Sequence, residues 1–388
     1  MIRPRLRSFV SSAALALLAA MAAVSTASAQ GSVGTQGFGY PVGGGSVRTN
    51  GSGGAFAEFD ALTPTNPAAL GGIGRTVISA QAEPELRKLT VNGVSEKSTL
   101  QRIPLIMLIF PARHGVAVGL SATTFLDRTF STTTTGSALI DGSAVPTADQ
   151  MDVRGAINDL RAGAGWQISP RFRVGVAGHL YTGENRATRE RRFADTLAFG
   201  NVLDSSRVTY FGTALSVGGE ATLGKGFTAL ASYRRGNELN ARIRDTIISK
   251  ASVPSRTGVA LRYDGIVGSV FAVGVEQISW SQMASLGSAT TTSTDAMNWR
   301  AGAEVAGPRF RGLPLLVRAG YARNALPFGT LGQTAKENRL SAGLGVPVAG
   351  EDATLDLSVQ RANRTMSGSG FKESAWLLGI GIQIRPRN

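Results

Sequence analysis

From about residue 75 onward the chain repeats one pattern, a run in which apolar and polar positions alternate, followed by a turn. In "NRLSAGLGVPV", Leu340, Ala342, Leu344 and Val346 alternate with Ser341, Gly343 and Gly345. In "TLDLSVQ", Leu355, Leu357 and Val359 alternate with Asp356, Ser358 and Gln360. "SAWLLGIGIQI" sets Trp376, Leu378, Ile380, Ile382 and Ile384 opposite Gly379, Gly381 and Gln383. A period of two is that of a strand with one apolar face. "GSVFAVGVEQISW" is apolar on both faces, with Glu276 breaking one. Strands are expected to begin near residues 75, 97, 115, 152, 172, 207, 226, 256, 269, 296, 314, 338, 353 and 374, about fourteen in all. "GRTVISAQAEPELRKLTVNG" reads equally as one long strand or two short ones.

The connections alternate in length. Short ones are "PARHG" (111–115), "SPRF" (169–172), "GKG" (224–226), "DGIVG" (264–268), "GPRFRG" (307–312) and "AGED" (349–352). Long, polar ones cover roughly 129–151, 185–206, 236–255, 281–295, 325–337 and 363–373. A soluble sandwich has no reason to keep that alternation. An even number of strands with short turns at one end and long loops at the other predicts an all-β fold, a transmembrane antiparallel β-barrel, with both ends of the barrel chain on the periplasmic side. A closed sheet also satisfies every backbone group within hydrocarbon without helices. Trp166 and Trp280 are candidates for interfacial anchors or for plain core packing.

Composition sharpens this picture. Arg3, Arg5 and Arg7, the apolar run Phe9 to Val24 and the Ala27-Ser28-Ala29 site read as a signal peptide over 1–29. The expected organisation is then signal 1–29, an N-terminal segment 30–74 and a barrel over 75–388, placed in a Gram-negative-type outer membrane. With no cysteine, no disulfide stabilises the chain, and 49 glycines suit strands, turns and crowded barrel interiors. The formal charge of +14 falls to about +11 without the three signal arginines. No basic patch is interleaved with stacking aromatics, so nucleic acid is not an expected partner. Outer-membrane lipid and lipopolysaccharide are.

Candidate chemistry lies on the polar face of the strands. Arg161, Arg262, Glu276, Arg300, Glu304 and Arg318 lie opposite the apolar positions. A charge on the lipid face costs roughly 2–4 kcal/mol, so these point inward. They are either a surface that attracts an acid head or a solvated, salt-bridged interior. The two histidines are His114, in a short turn, and His179, in a strand with no partner visible by spacing. No nucleophile–base pair and no metal-ligand cluster can be read, so neither an enzyme nor a cofactor is expected. Ahead of the first strand stands "EFDALTPTNPAALGGIG", where Pro67 forces Asn66 out of the helical region and the Asn side chain can hold a turn. Alone, this is either a lumenal segment or a disordered leader.

The Asn66-Pro67-Ala68 turn after a glycine-rich start is followed in order by "VPSRTGVALRY", "ISWSQM", "NWRAGAEV", "LLVRAGYARNALPF", "NRLSAGLGV" and "ATLDLSVQ". That series resembles the FadL/TodX-type outer-membrane transporters of fatty acids and hydrophobic compounds, most clearly over 254–360 and at the Asn-Pro-Ala turn. The resemblance implies a fourteen-stranded barrel whose residues 30–74 fold inward as a plug, or hatch. It implies a monomer that takes up a hydrophobic small molecule, a long-chain fatty acid or an aromatic hydrocarbon, and releases it sideways through the wall. The end "IQIRPRN" lacks a terminal aromatic and the chain is unusually basic, two departures from that family. The alternatives are a general porin and a barrel scaffold or shuttle of a protein secretion system.

Overall fold

The computed structural model describes residues 39–386 except 92, 195–197, 288–291, 311, 331–332, 350–351 and 369. The expected signal peptide and residues 30–38 lie outside the described residues.

Fourteen antiparallel strands close into a barrel. Strand β1 is Val77–Ala82 continued by Glu85–Val91, and β2 is Val94–Leu100 continued by Leu105–Pro111. Strand β3 is Val116–Asp127 continued by Phe130–Ile140. Then come β4 (Ser143–Ser169), β5 (Phe172–Phe193), β6 (Val202–Gly224) and β7 (Phe227–Ile243). Strand β8 joins Thr246–Ser252 to Arg256–Ile266, β9 is Ser269–Ile278, and β10 joins Thr292–Ser293 to Ala296–Phe310. The last four are β11 (Leu313–Thr330), β12 (Gln333–Pro347), β13 (Ala353–Thr365) and β14 (Phe371–Ile384). Each pairs with the next, and β1 closes on β14 from Ile78↔Ile384 to Val91↔Phe371. The ambiguous first segment is one wall position occupied by two half-strands. Pro84, which has no N–H to donate, separates them.

Most of the regions expected as long polar loops are strand; 281–295 is the exception and holds a 3₁₀ turn, Trp280–Leu286. Residues 130–140 and 143–169 form a continuous hairpin, and β5 pairs with β6 out to Val202↔Arg191. Threonine-rich alternation favours extended backbone, and pairing satisfies its polar groups. Asp141 and Gly142, both at positive φ, supply the two-residue reversal that suits a hairpin. At about 3.3 Å per residue, the 27 residues of β4 far exceed the roughly 9–11 needed to span a membrane. One end of the wall over β3–β6 therefore stands clear of any bilayer.

Burial is inverted relative to a water-soluble protein. Leu340 is 63% exposed on β12 while its neighbour Ser341 is buried, and on β13 Leu357 and Val359 face out while Asp356, Ser358 and Gln360 are buried. Trp299, Trp376 and Trp166 are about half exposed on the same outer face. An apolar belt of this extent is incompatible with water and fits a hydrocarbon surround. Trp280 is not part of it. It is buried, stacked on Phe125 with centroids 5.5 Å apart, inside a lumenal cluster with Leu126, Tyr181 and Leu239. No helix among the described residues is long and apolar enough to cross a membrane.

Candidate functional site in the barrel lumen

Residues 39–74 build the lumenal face of the site. Tyr40 and Pro41 pair with Asp127 and Leu126 of β3. Helix α1 (Val47–Gly51) is capped by Ser46, whose Oγ accepts from Thr49 N at 3.1 Å. Asp60 ties this turn to the next, its carboxylate accepting from the Thr49 and Thr63 hydroxyls at 3.1 and 3.2 Å and from Ser46. The Asn66-Pro67-Ala68 stretch opens a 3₁₀ turn, Pro67–Gly72. Asn66 caps it, accepting from Ala68 N at 2.9 Å, and Pro67 takes the first helical position, where its missing N–H costs nothing.

This segment runs against the inner wall with almost no gap. A Cβ added at Gly320 of β11 would stand 2.1 Å from the Ser52 carbonyl carbon, and one at Gly302 of β10 would stand 2.2 Å from the Ser52 oxygen. At Gly175 of β5 it would meet the Pro67 carbonyl carbon at 2.3 Å, and at Gly165 of β4 the Gly71 nitrogen at 2.4 Å. Gly381 of β14 faces Val47 and Gly218 of β6 faces Asn66 in the same way. The chain thus follows the lumenal face around most of the circumference. The abundant glycine of the sequence is in part the imprint of that course.

Charge holds the same contact. Arg48 pairs with Glu304 at 2.7 Å, and Glu304 in turn with Arg318 at 2.6 Å, which reaches Asp356 at 2.5 Å. Glu58 pairs with Arg256, which also meets Glu276 at 2.5 Å, and Glu276 binds Arg300 at 2.6 Å and Asn298 at 3.0 Å. Tyr40 lies under the guanidinium groups of Arg87 and Arg364, 4.6 and 4.7 Å from its ring centroid, and donates to Glu337 at 3.2 Å. Burial raises the Tyr40 phenol well above its ordinary pKa, so it stays a donor. Burial disfavours the Arg48 cation, but the Glu304 carboxylate more than offsets this and leaves its pKa above the ordinary value.

Between segment and wall lies a cavity of about 220 Å³, lined by Tyr40, Gly43–Gly45, Phe125, Asp159, His179, Arg234, Ile278, Trp280 and Arg300 among others. The six charges expected to face inward are all on the lumenal side. Glu276, Arg300, Glu304 and Arg318 belong to the two networks above. Arg262 pairs with Asp264 at 3.2 Å and lies over Phe59. Arg161 alone among these six is buried with Nε and Nη2 lacking a hydrogen-bond partner. His114 occupies an exposed turn at φ 61°. His179 is buried and bonded on both ring nitrogens. Sequence reading missed Tyr40, Arg48, Glu58 and Arg256. Arg256 carries the inward parity of its strand, but the other three sit outside any periodic element. No group of potential metal ligands occurs among the described residues.

The arrangement, a closed fourteen-stranded barrel with an N-terminal segment against its inner wall, is the fold of the FadL-type outer-membrane channels. The chain is similar to the structure titled a Pseudomonas aeruginosa FadL homologue, with TM-score 0.62 and 11% identity over 89% of this chain and 99% of that one. It is similar to the Pseudomonas putida toluene transporter TodX at 0.55 and 12%, over 89% and 98%. The CymD monoaromatic hydrocarbon channel aligns at 0.54 and 12%, over 87% and 98%. At such identities the likeness establishes the fold. No curated protein matches the chain. The chain belongs to the BamG family, whose model matches residues 1–308.

Proposed function

We propose that this protein is an outer-membrane channel for hydrophobic small molecules, in which residues 30–74 act as a hatch. The observation that carries the reading is the close fit of residues 39–74 against the inner wall, which leaves one cavity bordered by Phe125, Ile278 and Trp280 beside polar groups. These three side chains give one apolar part of a lining that also carries Asp159, Arg234, Arg256, Glu276 and Arg300, and an apolar patch beside placed polar groups can hold a small hydrophobic molecule. Ligand enters from the long-strand end, rests between hatch and wall, and leaves sideways after the hatch shifts. A cavity of roughly 150 Å³ suffices for benzene, so about 220 Å³ suits a substituted single ring better than a long acyl chain in this conformation. The names of the similar channels, a toluene transporter and a monoaromatic hydrocarbon channel, support the same class. Arg300 and Arg318 already have carboxylate partners, so an acid head would have to displace them and is not part of the proposed recognition.

The test is uptake by the full chain in liposomes across substituted benzenes, fatty acids of increasing length and their methyl esters. Hydrophobic contact contributes about 0.8 kcal/mol per CH₂ until the pocket is full. Uptake should therefore rise across small alkylbenzenes and be insensitive to esterification. Uptake of sugars or ions instead, with a steady large conductance, would make it a porin. Stoichiometric retention of a large protein with no small-molecule uptake would make it a scaffold.

A further inference from the structure

The lumen holds a feature that hydrophobe passage does not require. Asp159, His179 and Ser216 stand on three successive strands, β4, β5 and β6, all at inward positions and all buried. His179 Nδ1 lies 3.0 Å from both Asp159 carboxylate oxygens, and Nε2 lies 2.9 Å from Ser216 Oγ. Tyr181 donates to Asp159 Oδ2 at 3.1 Å. The register explains the alignment. Asp159 is opposite Tyr181, one inward step to one side of His179, and Ser216 is opposite Ala177, one inward step to the other. The three side chains therefore meet along a diagonal, a spacing long side chains can bridge. An acid orients one ring nitrogen and the other faces a hydroxyl, which is the geometry that activates a serine nucleophile.

A second, independent observation marks the same place as a ligand site. Arg161 pairs in register with His179, is 4% exposed, and has Nε and Nη2 without a partner. Asn66 is 1% exposed with Nδ2 unpartnered, and it lies against Gly218, the next inward residue after Ser216 on β6. Buried N–H groups this well enclosed are normally bonded. Arg161 borders the acid side of the relay, and the Asn66 donor stands beside Ser216, where a developing oxyanion needs one.

We propose that Ser216 and His179 are catalytic residues of an esterase site in the barrel lumen, with Asp159 as the positioning residue and a carboxylic ester of a hydrophobic molecule as substrate. Ser216 Oγ bonds to the ester carbonyl carbon as its proton passes to His179 Nε2. The oxyanion takes a hydrogen bond from the Asn66 side-chain amide. Collapse breaks the bond to the alcohol oxygen, which receives the Nε2 proton, and leaves the acyl group on Ser216. Water then gives a proton to Nε2 and attacks the acyl carbon; collapse breaks the bond to Ser216 Oγ, which takes the Nε2 proton back, and the carboxylic acid is released. The cavity reaches His179 and Asp159 directly. Ser216 lies beyond His179, under the Asn66 turn, so substrate reaches it as that turn yields.

The experiment uses the full chain in detergent micelles, with p-nitrophenyl butyrate and a fluorophosphonate as probes. Hydrolysis and stoichiometric labelling at Ser216, read by peptide mass spectrometry, are expected, and both should vanish in Ser216→Ala. Asp159→Asn should lower the turnover rate by about 10⁴-fold, as loss of the orienting acid does in such relays. Asn66→Asp, which keeps the oxygen that caps the turn and removes the amide donor, should lower it by about 10²–10³-fold, as for an oxyanion donor. Because the chain has no cysteine, Ser216→Cys supplies a unique thiol whose alkylation can be followed against pH. A nucleophile paired with His179 should titrate well below the ordinary thiol value of about 8.5 and return to it in Ser216→Cys/His179→Ala. A Ser216 that only satisfies a buried imidazole would give an ordinary or unreactive thiol, no fluorophosphonate label and turnover equal to Ser216→Ala. That result overturns the proposal and leaves the channel reading untouched, since uptake is measured separately.

Discussion

Replacing Gly175 by alanine should lift residues 39–74, the proposed hatch, from the wall. The added methyl would stand 2.3 Å from the Pro67 carbonyl carbon and 2.5 Å from the Ala68 nitrogen. Both are backbone atoms, and Ala68 is itself fully buried, so neither side yields by a rotamer change. Forcing a methyl into a filled site costs about 1–3 kcal/mol. If the strain falls on hatch seating, the displaced population grows by about 5- to 160-fold. Gly178 is the internal control. It lies on the same strand with nothing within 4 Å of its added Cβ, so Gly178→Ala carries the same backbone entropy change with no clash. Single-channel recording in planar bilayers, with heat-modifiability to verify a folded barrel, separates the two. More frequent open events in Gly175→Ala than in Gly178→Ala are expected. Equal traces from two folded barrels would refute the idea that the Asn-Pro-Ala turn obstructs conduction.

Four further outcomes follow from the same contacts. Glu276→Ala removes the shared partner of Arg256 and Arg300 and should destabilise the barrel by up to about 3–5 kcal/mol, read as a lower urea midpoint in micelles. Glu58→Ala should leave that midpoint nearly unchanged, because Arg256 keeps Glu276, but should raise the frequency of open events. Arg48→Met should do the same from the α1 side, Glu304 keeping Arg318. Single cysteines at Ser137 and Arg189, on the projecting strand ends, should react with an impermeant reagent on intact cells, and one at Lys225 should not; the reverse pattern would invert the topology.

The wall was legible in the sequence because its rule is local. Alternation of Leu355, Leu357 and Val359 with Asp356, Ser358 and Gln360 states both the strand and its two faces, and the structure assigns the apolar face outward. The inward position of Arg318 and Glu304 followed from the same parity and the cost of a charge in hydrocarbon. Polarity does not distinguish a loop from a strand beyond the bilayer. A run such as "FSTTTTGSALI" beyond the bilayer is polar on both faces and still pairs as strand. The partners were not legible. Glu58 and Arg256 are nearly two hundred positions apart and meet only because residues 39–74 run back against β8. Asp159, His179 and Ser216 meet through register across two hairpins, and a shift of one residue in either would send a side chain to the other face.

The distribution of partners across the hatch contact is itself informative. Every wall charge that residues 39–74 engage has a second partner within the wall. Glu304 is shared between Arg48 and Arg318, and Arg256 between Glu58 and Glu276. Glu337 accepts from Tyr40 but also pairs with Arg364 and Arg339. Glu83 accepts from Asn50 and from Gln360. A buried charge stripped of its only partner is costly, and a wall relying on the hatch for neutrality would lock it in place. Here withdrawal of the segment leaves Glu304, Arg256 and Glu337 still paired within the wall and Glu83 bonded to Gln360, and it frees one cation and one anion, Arg48 and Glu58, which can hydrate. What then resists withdrawal is chiefly shape, the backbone seated against glycines, together with the stacked ring of Tyr40. Such contacts fall off steeply with small separations. An element held this way can be seated firmly and still be displaced as a unit, as the proposed hatch role requires.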